Sequence, residues 1–192
     1  MNSDWMCERH GAVAPFHLAA HPGPEAVKQA TSHASVPLWS PVPLLPHWTF
    51  TGLGRAGDER SGTTATVVSL SGPSPLGGPA DLLLIAEEPG SGLGARYCGV
   101  ERFDPSTAIV GPPDAKVEAA GHPTALWMCD SAEDRVAFVG EAAGVWLYAV
   151  LWPPAAELVL LEHLELHDLR REGAAVESLP FGAVSPKLAL AL

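Results

Sequence analysis

A short apolar run flanked by turn-forming residues is the feature that most constrains this fold. Residues 82–86 read LLLIA, and segments rich in glycine and proline lie on both sides, at residues 71–79 and 89–94. The run is too short for a typical helix, and glycine and proline interrupt regular structure at both ends. The pattern therefore predicts a buried β-strand held between two tight loops.

Other segments have the same character, being rich in β-branched, aromatic or aliphatic residues and ended by Gly, Pro or Asp. These segments predict strands at residues 48–53, 63–70, 116–119, 125–129, 135–140 and 145–152. They follow one another closely without helical patterns between them, which favours antiparallel pairing over parallel crossovers. We therefore expect an α+β fold, a single domain dominated by an antiparallel sheet.

One C-terminal helix is predicted at residues 155–171, with Pro154 before it, Glu157 in its first turn and Gly173 after its end. Within this segment, the alternation of Leu164 and Leu166 fits a strand instead. The sequence divides into an irregular N-terminal arm, an antiparallel α+β core and a C-terminal tail. The predicted boundaries of these three parts are residues 1–35, 36–172 and 173–192.

The charge balance limits the partners and compartments that we expect. The formal net charge is −11, from 22 acidic residues against 11 lysines and arginines, which argues against nucleic acids and anionic lipid surfaces. Residues 142–161 are apolar apart from Glu157, but Pro153 and Pro154 at the centre favour a buried strand over a membrane span. With an odd number of cysteines and no signal-peptide pattern, we expect a cytoplasmic protein without membrane insertion.

Several short motifs occur in a specific order through most of residues 36–187. They are PLWSP at 37–41, GDERSG at 57–62, LIAEEPG at 84–90, GLGARY at 92–97 and GHPT at 121–124. With these motifs, the chain resembles a family of uncharacterised actinobacterial proteins. That resemblance implies a domain of unknown function, often preceded by a short segment like a zinc ribbon, and it implies no assigned reaction.

The arm contains what resembles the second half of that ribbon. Cys7 and His10 are spaced to place two ligands on one knuckle, whereas the preceding Cys-x-x-Cys half of the family has no counterpart here. Two ligands do not close a tetrahedral zinc site. His17 and His21 are the candidates for the missing ligands, although the central spacing is short for a zinc finger. The favoured interpretation is a vestigial zinc ribbon. Zinc is the one cofactor that these residues suggest.

The glycine-rich segment at residues 90–95 fits a G-x-G-x-x-A pattern and follows a predicted strand. Dinucleotide binding needs a helix whose N-terminus faces the pyrophosphate, and residues 96–100 do not begin a convincing one. Glu87 and Glu88 would also repel the phosphates. We therefore interpret the segment as a tight loop between strands.

Four residues are candidate ligand-binding groups. Asp58 and Arg60 lie in a polar turn that the family motif includes, and Arg60 or Arg96 is suited to hold a carboxylate or phosphate. Asp168 is the fourth candidate. The competing interpretation of the turn is an ordinary hairpin loop, in which Asp58 bonds its own backbone.

The remaining candidates have simple structural interpretations. His163 and His167 are four residues apart, which suggests a metal site or, more simply, a solvated helix face. Cys98 and Cys129 lie in apolar sequence, as expected for buried, unreactive thiols. Five tryptophans are expected to anchor the core through their large rings. They are Trp39, Trp48, Trp127, Trp146 and Trp152.

No spacing in the sequence supports a Ser-His-Asp or Cys-His catalytic arrangement. The glycine-rich loops and abundant tryptophan suggest a non-catalytic binding or accessory module with an unidentified protein or small-molecule partner. The alternative is an enzyme that acts on a small anionic metabolite in a cleft lined by the glycine-rich loops. Convergent ionisable groups in a deep pocket would favour the enzyme, and a shallow apolar patch would favour the module.

Overall fold

Antiparallel strands are the main regular elements of the computed structural model, which describes residues 6–7, 11–12, 15–58, 62–101 and 103–191. Every strand that the sequence predicts overlaps an observed strand. The strands are β1 (Met6–Cys7), β2 (Gly11–Ala12), β3 (Phe16–Leu18), β4 (Trp39–Pro41), β5 (Thr49–Asp58), β6 (Gly62–Pro73), β7 (Pro79–Glu87), β8 (Ala115–Ala119), β9 (His122–Cys129), β10 (Val136–Ala142), β11 (Val145–Trp152) and β12 (Glu165–Asp168).

The main sheet has the strand order β3-β5-β6-β7-β11-β10-β9-β8-β12-β4, and β1 pairs with β2 separately. Neighbouring strands are antiparallel except for the β8–β12 pair, which is parallel. Strand β9 takes part in both halves of the sheet, because residues 122–126 pair with β8 and residues 127–129 pair with β10. The far end folds back so that β4 packs against β6 and β7.

The apolar run at residues 82–86 forms the centre of β7, between β6 and β11. Its side chains alternate between two hydrophobic cores on opposite faces of the sheet. Leu82 and Leu84 belong to the larger core, whereas Leu83 and Ile85 belong to the smaller one. Because both faces are covered, the run is apolar at every position instead of alternating with polar residues.

The α-helices of the described residues are short. They are α1 (Pro24–His33), α2 (Leu93–Cys98) and α3 (Gly173–Val176). Three 3₁₀ helices lie at Pro105–Thr107, Pro154–Leu161 and Pro186–Ala191. In the part of the chain that the structure describes, no helix is long and apolar enough to cross a bilayer.

The N-terminal arm is more regular than we predicted. Residues 16–18 form the edge strand β3 against β5, and α1 places Val27 and Ala30 in the larger core. The tail also contributes to packing, because Val176 joins the larger core and Leu188 joins the smaller one.

The single helix predicted at residues 155–171 is wrong for its second half. The first half is the 3₁₀ helix Pro154–Leu161, and the second half is strand β12. Leu164 and Leu166 both point into the larger core, with 1% of each residue exposed. A spacing of two residues between buried positions is the period of a strand, and β8 supplies the parallel partner.

The interpretation of residues 90–95 as a plain loop also needs correction. The loop leads directly into α2, which begins at Leu93 and ends at Cys98. Gly92 (φ 75°) and Gly99 (φ 80°) lie at the two ends of this helix in the left-handed region, where glycine avoids the strain of a β-carbon. Six residues surrounded by glycines gave no helical period to detect.

Candidate functional site

A cavity of about 740 Å³ lies on the α2 side of the sheet, partly open to solvent. Its floor is one row of the sheet: Ala56 pairs with Ala65, Ala65 with Glu87, and Glu87 with Trp146. Residues paired in this way project to the same face of a sheet. The small side chain of Ala56 leaves room above the floor, while α2 forms one wall and Phe103 lies on another.

Glu87 is the buried acid of this cavity, with 3% of the residue exposed. It ends the apolar strand β7, and its carboxylate accepts a hydrogen bond from the backbone N–H of Gly94 at 2.9 Å. The Tyr148 hydroxyl and the backbone N–H of Leu93 are weaker donors to the same carboxyl, because their geometry is less favourable than that of the Gly94 N–H. Glu87 therefore holds the start of α2 against the sheet.

Close packing at Gly94 makes this contact possible. A β-carbon at that position would lie 2.4 Å from the Tyr148 ring, so only glycine lets α2 approach the strand so closely. The Tyr148 ring is itself buried, and the Phe103 ring meets it edge to face at a centroid distance of 6.5 Å. The base of the cavity is thus a fixed arrangement of rings around one carboxyl group.

Burial raises the pKa of Glu87, because the ionised carboxylate loses more hydration than its hydrogen bonds restore. The hydrogen bonds from Gly94, Tyr148 and Leu93 act in the opposite direction and lower the pKa. Burial likewise raises the pKa of Tyr148, and the neighbouring Glu87 carboxylate adds to that effect. A buried carboxyl with a perturbed pKa in a cleft is typical of functional sites.

The raised pKa predicts a pH-dependent effect of Glu87→Gln. In the unfolded wild-type chain, Glu87 ionises at its ordinary pKa of 4.5. In the folded protein, it ionises only at a higher pH. Wild-type stability therefore falls as pH rises through the folded-state pKa, whereas glutamine does not titrate. We expect the stability of Glu87→Gln relative to wild type to increase from pH 4.5 towards neutral pH in urea denaturation.

Glu88→Gln is the matched control for that comparison, because Glu88 is the exposed neighbour of Glu87. Surface substitutions of this kind usually change stability by no more than about 0.5 kcal/mol. A difference between Glu87→Gln and wild type that stayed constant or reversed over the same pH range would contradict the assigned environment of Glu87.

Asp104 lies at the mouth of the cavity and caps the 3₁₀ helix Pro105–Thr107. Its carboxylate accepts from the backbone N–H of Ser106 at 3.0 Å and from the Ser106 hydroxyl at 2.7 Å. The side-chain hydrogen bond from Ser106 and then the backbone one lower the pKa of Asp104. The mouth therefore carries a carboxylate that is ionised at neutral pH.

Only part of the predicted ligand-binding set reaches this cavity. Arg96 lines it from α2. Asp58 ends β5, but its side chain lies outside the described residues, as do Arg60 and His10. Cys7 lies in β1, and its side chain is likewise outside the described part. The roles predicted for these four residues, zinc binding included, stay predictions.

Asp168 is placed elsewhere, in a buried ion pair that joins distant parts of the chain. Its carboxylate accepts from the backbone N–H of Leu38 at 3.1 Å and from the Arg170 guanidinium at 2.7 and 2.8 Å. Arg170 in turn donates to the backbone carbonyl of Ser35 at 2.7 Å. These contacts tie β12 to the segment before β4, which is a structural role.

The two predicted histidines have separate partners. His167 contacts the Glu172 carboxylate at 3.0 Å, whereas His163 lies 3.9 Å from Glu118 and 3.7 Å from Glu165. Potential metal-ligand atoms of His163, Glu118 and Glu165 lie within 4.8 Å of one another. Exposed acidic groups often gather in this way without an ion, and His163 has 77% of its side chain exposed.

The thiols of Cys98 and Cys129 are buried, as predicted, and they lie next to each other. A hydrogen bond with Cys129, followed by burial, raises the pKa of Cys98. Both effects favour the protonated thiol, which is the unreactive form.

Glu87 and Trp146 are site residues that the sequence did not predict. Glu87 was considered only as a group that repels phosphate, and Trp146 was expected in the core with the other tryptophans. Trp39, Trp48 and Trp152 are indeed buried, but Trp127 and Trp146 are half-buried. An acidic residue that directly continues an apolar strand into a glycine-rich loop was the available signal for Glu87.

Comparison with known proteins identifies a family for this chain but assigns no activity to it. Neither the curated proteins nor the solved structures gave a match to this chain. Residues 1–188 match a family model described as a family of unknown function, DUF6758. The match covers nearly the whole chain, including the cavity with Glu87 and Trp146, and the chain therefore belongs to that family of unknown function.

Proposed function

We propose that this chain is a non-catalytic binding module that takes a small organic ligand in the cavity beside α2. The observation that carries the proposal is a buried carboxyl, Glu87, at the base of a cavity whose other surfaces are largely apolar. Ligand sites commonly measure about 300–1,000 Å³ and combine apolar walls with a few polar groups. The volume of about 740 Å³ lies in that range.

The chemistry of the lining supports binding over turnover. The described lining residues include three acids, one arginine and two serines, and no histidine, cysteine or lysine. The hydroxyl of Ser91 pairs with that of Thr64 at 3.0 Å. The hydroxyl of Ser106 donates to the Asp104 carboxylate at 2.7 Å, but the lowered pKa of Asp104 makes that carboxylate a weak base. Nucleophilic catalysis requires a nucleophile within hydrogen-bond reach of a base. A binding role needs only the shape and the polar groups.

The alternative of an enzyme for small anionic metabolites receives less support. It relied on Arg60, Arg96 or Asp168 in one cleft, but Asp168 is paired with Arg170 in a different part of the fold. Acids outnumber cations among the lining residues of the cavity. The proposal further includes no nucleic-acid partner, because the net charge is −11, and a cytoplasmic location, because the three cysteines are odd in number and far apart in the sequence.

A cavity-filling variant tests the proposed function. Val100 lines the cavity, and Val110, with 75% of the residue exposed, does not. A fragment library of small aromatic and aliphatic amines, acids and alcohols is first screened against the wild-type protein by ligand-observed NMR. We expect binders whose signal is lost in Val100→Trp and kept in Val110→Trp, because the added ring occupies the cavity in the first variant only.

Two results would contradict this proposal. Fragments that bind equally well to Val100→Trp would place the ligand site elsewhere on the protein. Conversion of a bound fragment into a product, detected by NMR over time with excess ligand, would show turnover and favour an enzyme.

A further inference from the structure

We infer that the cavity selects ligands that carry an organic ammonium group, with the cation held between the Trp146 indole and the Glu87 carboxyl. This inference rests on the proposed binding function and names the class of ligand. It follows from the arrangement of aromatic and acidic groups at the base and mouth of the cavity.

Trp146 and Glu87 are direct partners on adjacent antiparallel strands. Partners of this kind have β-carbons about 4.5–5.5 Å apart and project to the same face of the sheet. The indole is half-buried and lines the cavity, so a ligand in the cavity can contact the ring. An ammonium group above an indole is attracted by the negative face of the ring, and tryptophan is the best residue for this contact.

The carboxyl of Glu87 strengthens the same preference. Its known donors, the Gly94 N–H and the Tyr148 hydroxyl, come from the protein and leave it desolvated. A ligand cation in the cavity would supply a counter-charge where water cannot solvate the carboxylate. Charges interact strongly at short range in such a partly buried site.

Asp104 adds a second negative charge at the mouth of the cavity. Its capping contacts with Ser106 favour the ionised form, so it attracts cations towards the opening. Arg96 and Glu101 also line the cavity, and each already takes part in an interaction of its own. The inference therefore uses the carboxyls of Glu87 and Asp104 alone.

Anionic ligands are disfavoured for a further reason. In many phosphate sites, backbone N–H groups at a glycine-rich turn bind the anion. Here the N–H of Gly94 is already bonded to Glu87, and α2 is only six residues long. An anion would have to displace a buried carboxylate and then lie close to the ionised Asp104.

Calorimetric titration of the full chain with matched probes tests this inference. Choline is compared with its neutral carbon analogue, in which a tert-butyl group replaces the trimethylammonium group. Butylamine is compared with butanol and with butyrate. We expect at least one ammonium probe to bind roughly tenfold more tightly than its neutral partner, and butyrate to bind more weakly than butanol.

Three variants test which residues of the cavity cause the preference for ammonium probes. Glu87→Gln keeps an oxygen that can accept the Gly94 N–H and removes the charge, so we expect it to abolish most of the ammonium preference. Trp146→Leu should reduce the preference severalfold through loss of the ring face. Asp104→Asn, on an exposed turn, should reduce it about twofold to threefold, and it provides a charge variant outside the packed base of the cavity.

The outcomes separate the ligand class from the binding function. If neutral or anionic probes bind as tightly as ammonium probes, and Val100→Trp abolishes their binding, the ligand class is wrong and the binding module stands. If Glu87→Gln leaves the ammonium preference unchanged, the assignment to Glu87 is wrong. If no probe binds and the fragment library gives no binder that is sensitive to Val100→Trp, both proposals are wrong.

Discussion

Replacing Asp168 with alanine is expected to lower the free energy of unfolding by about 2–4 kcal/mol. Breaking a buried ion pair usually costs about 3–5 kcal/mol, but Arg170, with 25% of its side chain exposed, can regain some hydration. Only 6% of the Asp168 side chain is exposed. The Arg170 guanidinium lies 2.7 Å and the Leu38 N–H lies 3.1 Å from the carboxylate oxygens of Asp168. Both donors would lose this acceptor in the variant. Urea denaturation monitored by tryptophan fluorescence measures the change.

The matched control is Glu177→Ala, which removes a carboxylate from an exposed ion pair. Glu177 lies 2.6 Å from Lys28, and about half of each side chain is exposed, 55% and 53% respectively. Exposed pairs of this kind contribute little to stability, because water solvates both charges. If Asp168→Ala and Glu177→Ala lowered the free energy of unfolding equally, the burial of Asp168 would not determine how much it contributes to stability.

Leu84→Ala is expected to cost about 2–5 kcal/mol, because it leaves a cavity in the larger core. Leu84 lies in the middle of β7, with 2% of the residue exposed, and its strand partners are Val68 and Ala149. All three side chains belong to that core. Chemical denaturation of the variant and wild type gives the difference in stability.

Leu76→Ala provides the same substitution at an exposed site. Leu76 has 70% of the residue exposed, and we expect a change of no more than about 0.5 kcal/mol. Leu84 faces away from Glu87, so Leu84→Ala should also keep the ligand binding of the folded protein. A small loss of stability at Leu84 would mean that the larger core collapses around the deleted atoms or is not closely packed.

The sequence predicted the strands well because their signals are local. Residues 82–86 and 145–152 are apolar and β-branched runs ended by Gly or Pro, and such runs form strands with little dependence on distant residues. Their antiparallel pairing followed from the short connections. The parallel β8–β12 pair could not be foreseen, since three complete strands and a 3₁₀ helix lie between the two segments in the sequence.

The errors at residues 93–98 and 165–168 have a common physical cause. The conformation of each segment depends on contacts with other residues that the local sequence does not indicate. Helix α2 is held by Glu87, seven residues before Gly94, and β12 is held by β8 and β4. Local propensity is a weak guide when tertiary contacts decide the conformation.

The candidate site was predicted only through Arg96. Glu87 and Trp146 are 59 positions apart in numbering, and their meeting depends on the register of β7 against β11. Register is set by the buried pattern of the whole sheet and not by either residue alone. A titratable residue at the end of a buried strand, such as Glu87, is a useful sequence signal for a site. Its partner Trp146 can be identified only from the folded structure.

The pairing of β4 with β12 has a consequence for synthesis of the protein on the ribosome. Strand β4 is synthesised long before its neighbour β12, because the Leu38–Asp168 contact spans 130 positions. Until β12 appears, β4 lacks the strand that holds it over β6 and β7. The fold around β4 should therefore close only after β12 has been translated, and the nascent chain should expose apolar surface to chaperones until then.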